Sequence, residues 1–191
     1  MTQAAFAFET LEDLYTRLMA ARFGDPIEET LARILASWRL GKGAMPQWLG
    51  LGEAQFHTMM EHHFPAMHAN SLVSVREAIG GERAAELDDL RELLVTNRSG
   101  RSESEIWMAE IVIAGCVGSD HLWQDLGLWQ RADLWKLMLD NFAPLALRND
   151  KDMKWKKFLY KQLCEAEGIY ICRSPSCEVC VDYDNCFGSE E

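Results

Sequence analysis

Four cysteines lie in one short segment near the end of the chain, Cys172, Cys177, Cys180 and Cys186, spaced C-x4-C-x2-C-x5-C and followed by Phe187-Gly188. Four soft ligands this close together constrain the segment more than any other feature does, because all can reach one tetrahedral metal ion or one iron–sulfur cluster. Two disulfides would require an oxidising compartment. Four unrelated buried thiols would not sit among Arg173, Ser174, Pro175, Asp182, Asp184 and Asn185. Ligand chemistry leaves zinc and iron–sulfur both open. Against zinc, the loop has no His and reads as lacking a helix or strand on which to pack a zinc ribbon. All-Cys loops do hold 4Fe–4S clusters, though with tighter spacings than these.

The rest of the chain supplies a core for that segment. A hydrophobic content of 48% with seven Trp in 191 residues specifies a packed domain. The net charge of −11 argues against nucleic-acid binding and against adhesion to an anionic membrane. No window is apolar enough to span a bilayer, and Met1-Thr2-Gln3-Ala4-Ala5-Phe6 has no basic leader, so a reduced, cytoplasmic setting is expected. No Walker motif, dinucleotide glycine pattern or nucleophile elbow is present, so catalytic turnover is not expected.

Apolar periodicity predicts an all-α fold, an orthogonal or antiparallel bundle of about seven helices, with residues 1–168 as the helical domain and 169–191 as the metal-binding loop packed on it. Phe8, Leu11, Leu14, Tyr15, Leu18 and Met19 mark the first helix. Asp25-Pro26 starts a second that runs to about Leu40, and Glu53 to Phe64 is a third. Ser74-Val75-Arg76-Glu77 has capping-box spacing, and Glu82 to about Thr96 is helical. A second capping box, Ser102 with Glu105, precedes the apolar run Ile106 to Val117, expected to be the most buried helix. Arg131 to Phe142 and Asp150 to about Glu167 complete the set.

A weak internal repeat runs at an offset of 77: Glu28, Ala32, Ile34, Gly41, Gln47, Leu49, Gly50 and Leu51 match Glu105, Ala109, Ile111, Gly118, Gln124, Leu126, Gly127 and Leu128. One inserted residue later, Met60 and Phe64 match Met138 and Phe142. Residues 28–65 and 105–144 are therefore expected to be duplicated helical hairpins, each turning on Leu-Gly-Leu.

Other residues bear on metal chemistry. His121 follows the buried helix, and Cys164 lies eight residues before Cys172; both are candidates for metal handling. His57, His62, His63 and His68 surround the third helix; His57 and Glu61, one turn apart, could chelate a metal, but the favoured reading is surface histidines on an exposed helix face. Lys154, Lys156, Lys157 and Lys161 form a basic island in an acidic chain, suited to an anion or a partner protein, or else simply a solvated helix face.

The Cys spacing with its trailing Phe-Gly resembles the NifQ family of nitrogen-fixation proteins. So do His121-Leu122-Trp123-Gln124-Asp125-Leu126-Gly127-Leu128 and Met153-Lys154-Trp155-Lys156-Lys157-Phe158-Leu159-Tyr160. The resemblance implies an iron–sulfur protein, with a 4Fe–4S or Mo–Fe–S cluster, that processes molybdenum for the nitrogenase iron–molybdenum cofactor. It implies molybdate or a molybdenum–sulfur species as cargo, and cofactor-assembly proteins, scaffold and reductase, as acceptors. The rival reading is a helical interaction module closed by a structural zinc ion.

Overall fold

The structure, a computed structural model, describes residues 9–69, 72, 84–166 and 183–188. Among the described residues every regular element is helical. Seven long helices are α1 (Leu11–Ala20), α2 (Glu28–Arg39), α3 (Glu53–His63), α4 (Ala84–Thr96), α5 (Glu105–Cys116), α7 (Arg131–Asn141) and α9 (Trp155–Ala166). Between and after them come shorter pieces: a 3-10 turn (Gln47–Gly50), α6 (Leu122–Asp125), α8 (Ala143–Ala146) and α10 (Tyr183–Phe187). No helix among the described residues is long and apolar enough to cross a membrane.

The long helices stand where periodicity puts them, and local chemistry sets their ends. Thr10 and Asp13 close a reciprocal capping box on α1, and the Thr10 hydroxyl, followed by its backbone N–H, holds the Asp13 carboxyl below its ordinary pKa. Asp25 Oδ1 accepts from Ile27 N at 3.0 Å ahead of α2. The box expected from Ser102 and Glu105 forms only in part. Ser102 Oγ accepts from Ser104 N at 3.2 Å and donates to Asp25 Oδ2 at 2.8 Å, while the Glu105 carboxylate gathers the N–H groups of Gly100, Arg101 and Ser102. The last long helix starts at Trp155 instead of Asp150. Asn149 brackets Met153 through both its N–H and C=O, and Asp152 takes a left-handed φ of 53°. The capping-box stretch 74–77 and the boundary at 168 lie outside the described residues.

Two helical units account for most of the fold: α1, α2, the 3-10 turn and α3, then α4, α5, α6 and α7. Helices α2 and α5 are 77 residues apart at both ends, and α3 and α7 are 78 apart at both ends, which is the single insertion read from the sequence. The hydrogen bonds repeat as well. Glu28 accepts from Phe23 N and Gly24 N as Glu105 accepts from Gly100 N and Arg101 N. Phe23 N donates to His63 O and, one residue out of the 77 register, Ser99 N donates to Asn141 O, and Phe64 and Phe142 end α3 and α7 with φ near −135°. Helix α1 packs on α2, and α4 on α5, with Leu14 and Leu18 buried in one unit and Leu90 and Leu94 in the other. Where Arg33 lies 5.6 Å over the Tyr15 ring, the second unit has Arg91 bound to Glu110, whose carboxylate keeps the guanidinium firmly protonated.

Asp25 and Ser102 are equivalent positions in the 77-residue register, and they touch each other across the two units. Helix α5 is not uniquely buried. Its residues Met108, Ala109 and Ile111 to Cys116 are inside, but so are Leu31, Ala32 and Ile34 to Trp38 of α2. Both Leu-Gly-Leu turns have left-handed glycines, Gly50 at φ 85° and Gly127 at 72°, with Leu49 and Leu126 fully buried.

Candidate metal centre

Of the four clustered cysteines, Cys186 lies within the described residues; Cys172, Cys177 and Cys180 lie outside them. Cys186 sits on α10, a helical turn that the sequence reading did not grant this loop. The turn docks at the start of α9: Lys154 N donates to Cys186 O at 2.8 Å and Lys154 Nζ donates to Asp184 O at 3.0 Å. Cys186 and Phe187 are half-buried against the core. Gly188 N closes the turn on Asp184 O at 2.9 Å, and a Cβ at Gly188 would come within 2.5 Å of that oxygen. The Phe-Gly ending thus has two physical uses: Phe187 anchors the turn and Gly188 lets it close.

Helix α9 spans about 18 Å at 1.5 Å per residue. Cys186 lies beside Lys154, at the end of α9 opposite Ala166, the last described residue before the cysteine segment. That end is the N-terminus, where helix dipoles and Lys154 both favour negative charge.

The basic island divides. Lys156 is spent on structure: its Nζ donates to Gly118 O at 2.7 Å and pairs with Asp125, whose carboxylate is 1% exposed and also accepts from Asp120 N. Lys154 holds α10, Lys157 is exposed, and Lys161 pairs loosely with Glu165 at 3.6 Å. Cys164 is half-buried and ten residues along α9 from Lys154, about 15 Å by helical rise, so the structure does not bring it beside Cys186. His121 is the half-buried residue before α6, its N–H donating to Gln124 Oε1, next to the Asp120–Asp125–Lys156 knot.

The sequence reading passed over a second group. His63 is not on the surface; it is fully buried, with Nδ1 3.3 Å from Glu28 Oε1. Burial pushes its pKa below the ordinary histidine range, and the Glu28 contact only partly opposes this, so the neutral ring is favoured. Had the one-residue insertion been carried through the histidines, His62 and His63 would have aligned with Asp140 and Asn141 and stood out as replacements.

The family model described as NifQ matches residues 30–188, a span that includes all four clustered cysteines. This chain belongs to the NifQ family. It is 45% identical over 170 residues to Protein NifQ of Azotobacter vinelandii, covering 84% of this chain and 87% of that one. To Protein NifQ of Klebsiella pneumoniae it is 33% identical over 174 residues, covering 85% and 99%. A Protein NifQ homolog of Sinorhizobium fredii is 37% identical over 163 residues, 84% of this chain and 70% of that one. No solved structure matches the chain.

Proposed function

We propose that this NifQ-family chain is an iron–sulfur protein of the cytoplasm that carries molybdenum and donates it for assembly of the nitrogenase iron–molybdenum cofactor. The supporting observation is the four-thiol segment inside the family match, with its last cysteine carried on a turn anchored to α9 by Lys154. The donor set fits: four thiolates can hold an iron–sulfur cluster, and bridging sulfides supply a soft site for molybdenum. Cys172, Cys177, Cys180 and Cys186 are the proposed ligands. Lys154, Lys157 and Lys161 offer positive potential to anionic cargo, molybdate or a molybdenum–sulfur species, or to an acceptor assembly protein. The role asks for no catalytic residue: the chain binds, holds and releases.

One reason for disfavouring zinc falls with α10, since the loop does have a helical turn of its own. The decisive experiment is therefore elemental. Protein purified without air is analysed for iron, sulfide, molybdenum and zinc, alongside the four single Cys→Ala variants. The expected result is iron and sulfide in the wild type, and sharp loss of both in each variant with helix content kept. Stoichiometric zinc without iron, or variants that keep full iron, would overturn the reading.

A further inference from the structure

The second unit serves as an internal control for the first. Equivalent positions in the two units carry Glu28 and Glu105, Asp25 and Ser102, His62 and Asp140, and His63 and Asn141. The glutamates do the same work in both, gathering the N–H groups of the loop before α2 or α5. The other three positions need not be Asp, His and His for the fold to form, because the second unit builds the same corner from Ser, Asp and Asn. Only in the first unit do these positions hold three metal-ligating side chains, and there one ligand atom from each of Asp25, His62 and His63 falls within 4.8 Å of the others.

Two further observations point to a ligand. The Nε2 atom of His63 is buried and makes no hydrogen bond among the described residues, although the ring is fully enclosed. A ring nitrogen left so is costly unless something binds it. The opposite nitrogen, Nδ1, faces Glu28, the carboxylate–imidazole arrangement that orients a metal-bound histidine. Asp25 is held in the same way, by the Ile27 N–H on one oxygen and the Ser102 hydroxyl on the other. Each of its oxygens keeps a free lone pair. His62 is exposed and stacks edge-on with His63, ring centroids 4.7 Å apart, so the group opens to solvent on one side.

We propose that Asp25, His62 and His63 form a second metal site, distinct from the Cys loop, for a divalent first-row transition cation such as Zn2+ or Co2+. Glu28 orients His63, and Ser102, from the other unit, orients Asp25. Two imidazoles and a carboxylate are borderline ligands suited to these cations, and they leave open positions for water or a further ligand. The charge balances, since Asp25 and Glu28 together offset a divalent ion. A bound ion would tie the end of α3 to the loop ahead of α2, at the seam between the units. The proposal does not rest on the function assigned to the Cys loop.

The test uses the full chain and Co2+. Bound cobalt is measured by dialysis and by absorption, in wild type and in three variants. D25S and H63N install the residues that the second unit uses, and H62A alters an exposed side chain. The expected result is that wild type binds one equivalent more than each variant, with the visible d–d absorption of nitrogen- and oxygen-ligated cobalt. Thiolate charge-transfer absorption from the Cys loop should be the same in all four proteins. The melting temperature should rise with Co2+ in wild type and rise less in the variants. Equal cobalt content in wild type and H62A, with identical spectra, would overturn the proposal. So would loss of only the thiolate signal.

Discussion

Lys156 and Lys157 are adjacent in sequence and face different surroundings. Lys156 neutralises Asp125, which is 1% exposed and cannot be resolvated without opening α6. Lys157 faces solvent. Replacing Lys156 by Gln leaves a buried carboxylate without its cation, a loss of about 3 kcal/mol. Replacing Lys157 by Gln should change stability by less than about 0.5 kcal/mol. Urea unfolding of both variants checks this, and equal midpoints would show that the Asp125 contact contributes little. On the proposed function, K157Q should keep its iron and load molybdenum less well. The charge run itself was legible in the sequence. Which lysine was structural was not, because that depends on a carboxylate 31 residues away in sequence, which meets Lys156 only in the folded chain.

At the scale of elements, the long helices were readable from an apolar stripe at helical period, as Leu14 and Leu18 or Leu134, Leu137 and Met138 show, or, for α5, from a continuous apolar run behind a capping signal. The single turns were not, since four or five residues give no period to detect. Turn α10 is the one that matters to the candidate metal centre. Its closure requires Gly188, where a Cβ would stand 2.5 Å from Asp184 O. The variant G188A should therefore open the turn and free the two N–H groups whose acceptors it positions, Lys154 N on Cys186 O and residue 188 N on Asp184 O. Hydrogen exchange read by NMR should show both amides exchanging faster than in wild type, while the amides inside α5 keep their protection. Unchanged exchange at Lys154 would mean that α10 docks without needing the glycine. The three earlier cysteines lie beyond what the fold describes, so for them the sequence pattern remains the whole basis of the ligand assignment.

At the scale of the molecule, the two units are joined at both ends. Asp25 meets Ser102 at one end, and at the other Ala44 N donates to Asp125 O at 2.9 Å while Gly127 packs against α2. The repeat was visible in the sequence because turn and core positions recur in register; the seam was not, since neither unit's pattern says which face meets the other. Gly127 is where the seam can be tested. It takes φ 72°, and a Cβ there would lie 2.7 Å from Cβ of Ser37. The variant G127A should therefore lose stability in two ways: about 1 kcal/mol for the left-handed backbone and a further ~1–3 kcal/mol of overpacking at the seam. The variant S37G alone should cost about 1 kcal/mol as a glycine inside a helix. Combined, S37G/G127A removes the clash but not the backbone strain, so the double variant should be more stable than the two single losses added together predict. A double-mutant cycle from urea unfolding measures that coupling, expected at about 1 kcal/mol or more. Because the seam is shared, unfolding of G127A should stay a single transition at a lower midpoint. Two separate transitions would mean that the units fold independently, and a coupling near zero would mean that Gly127 and Ser37 do not meet in solution.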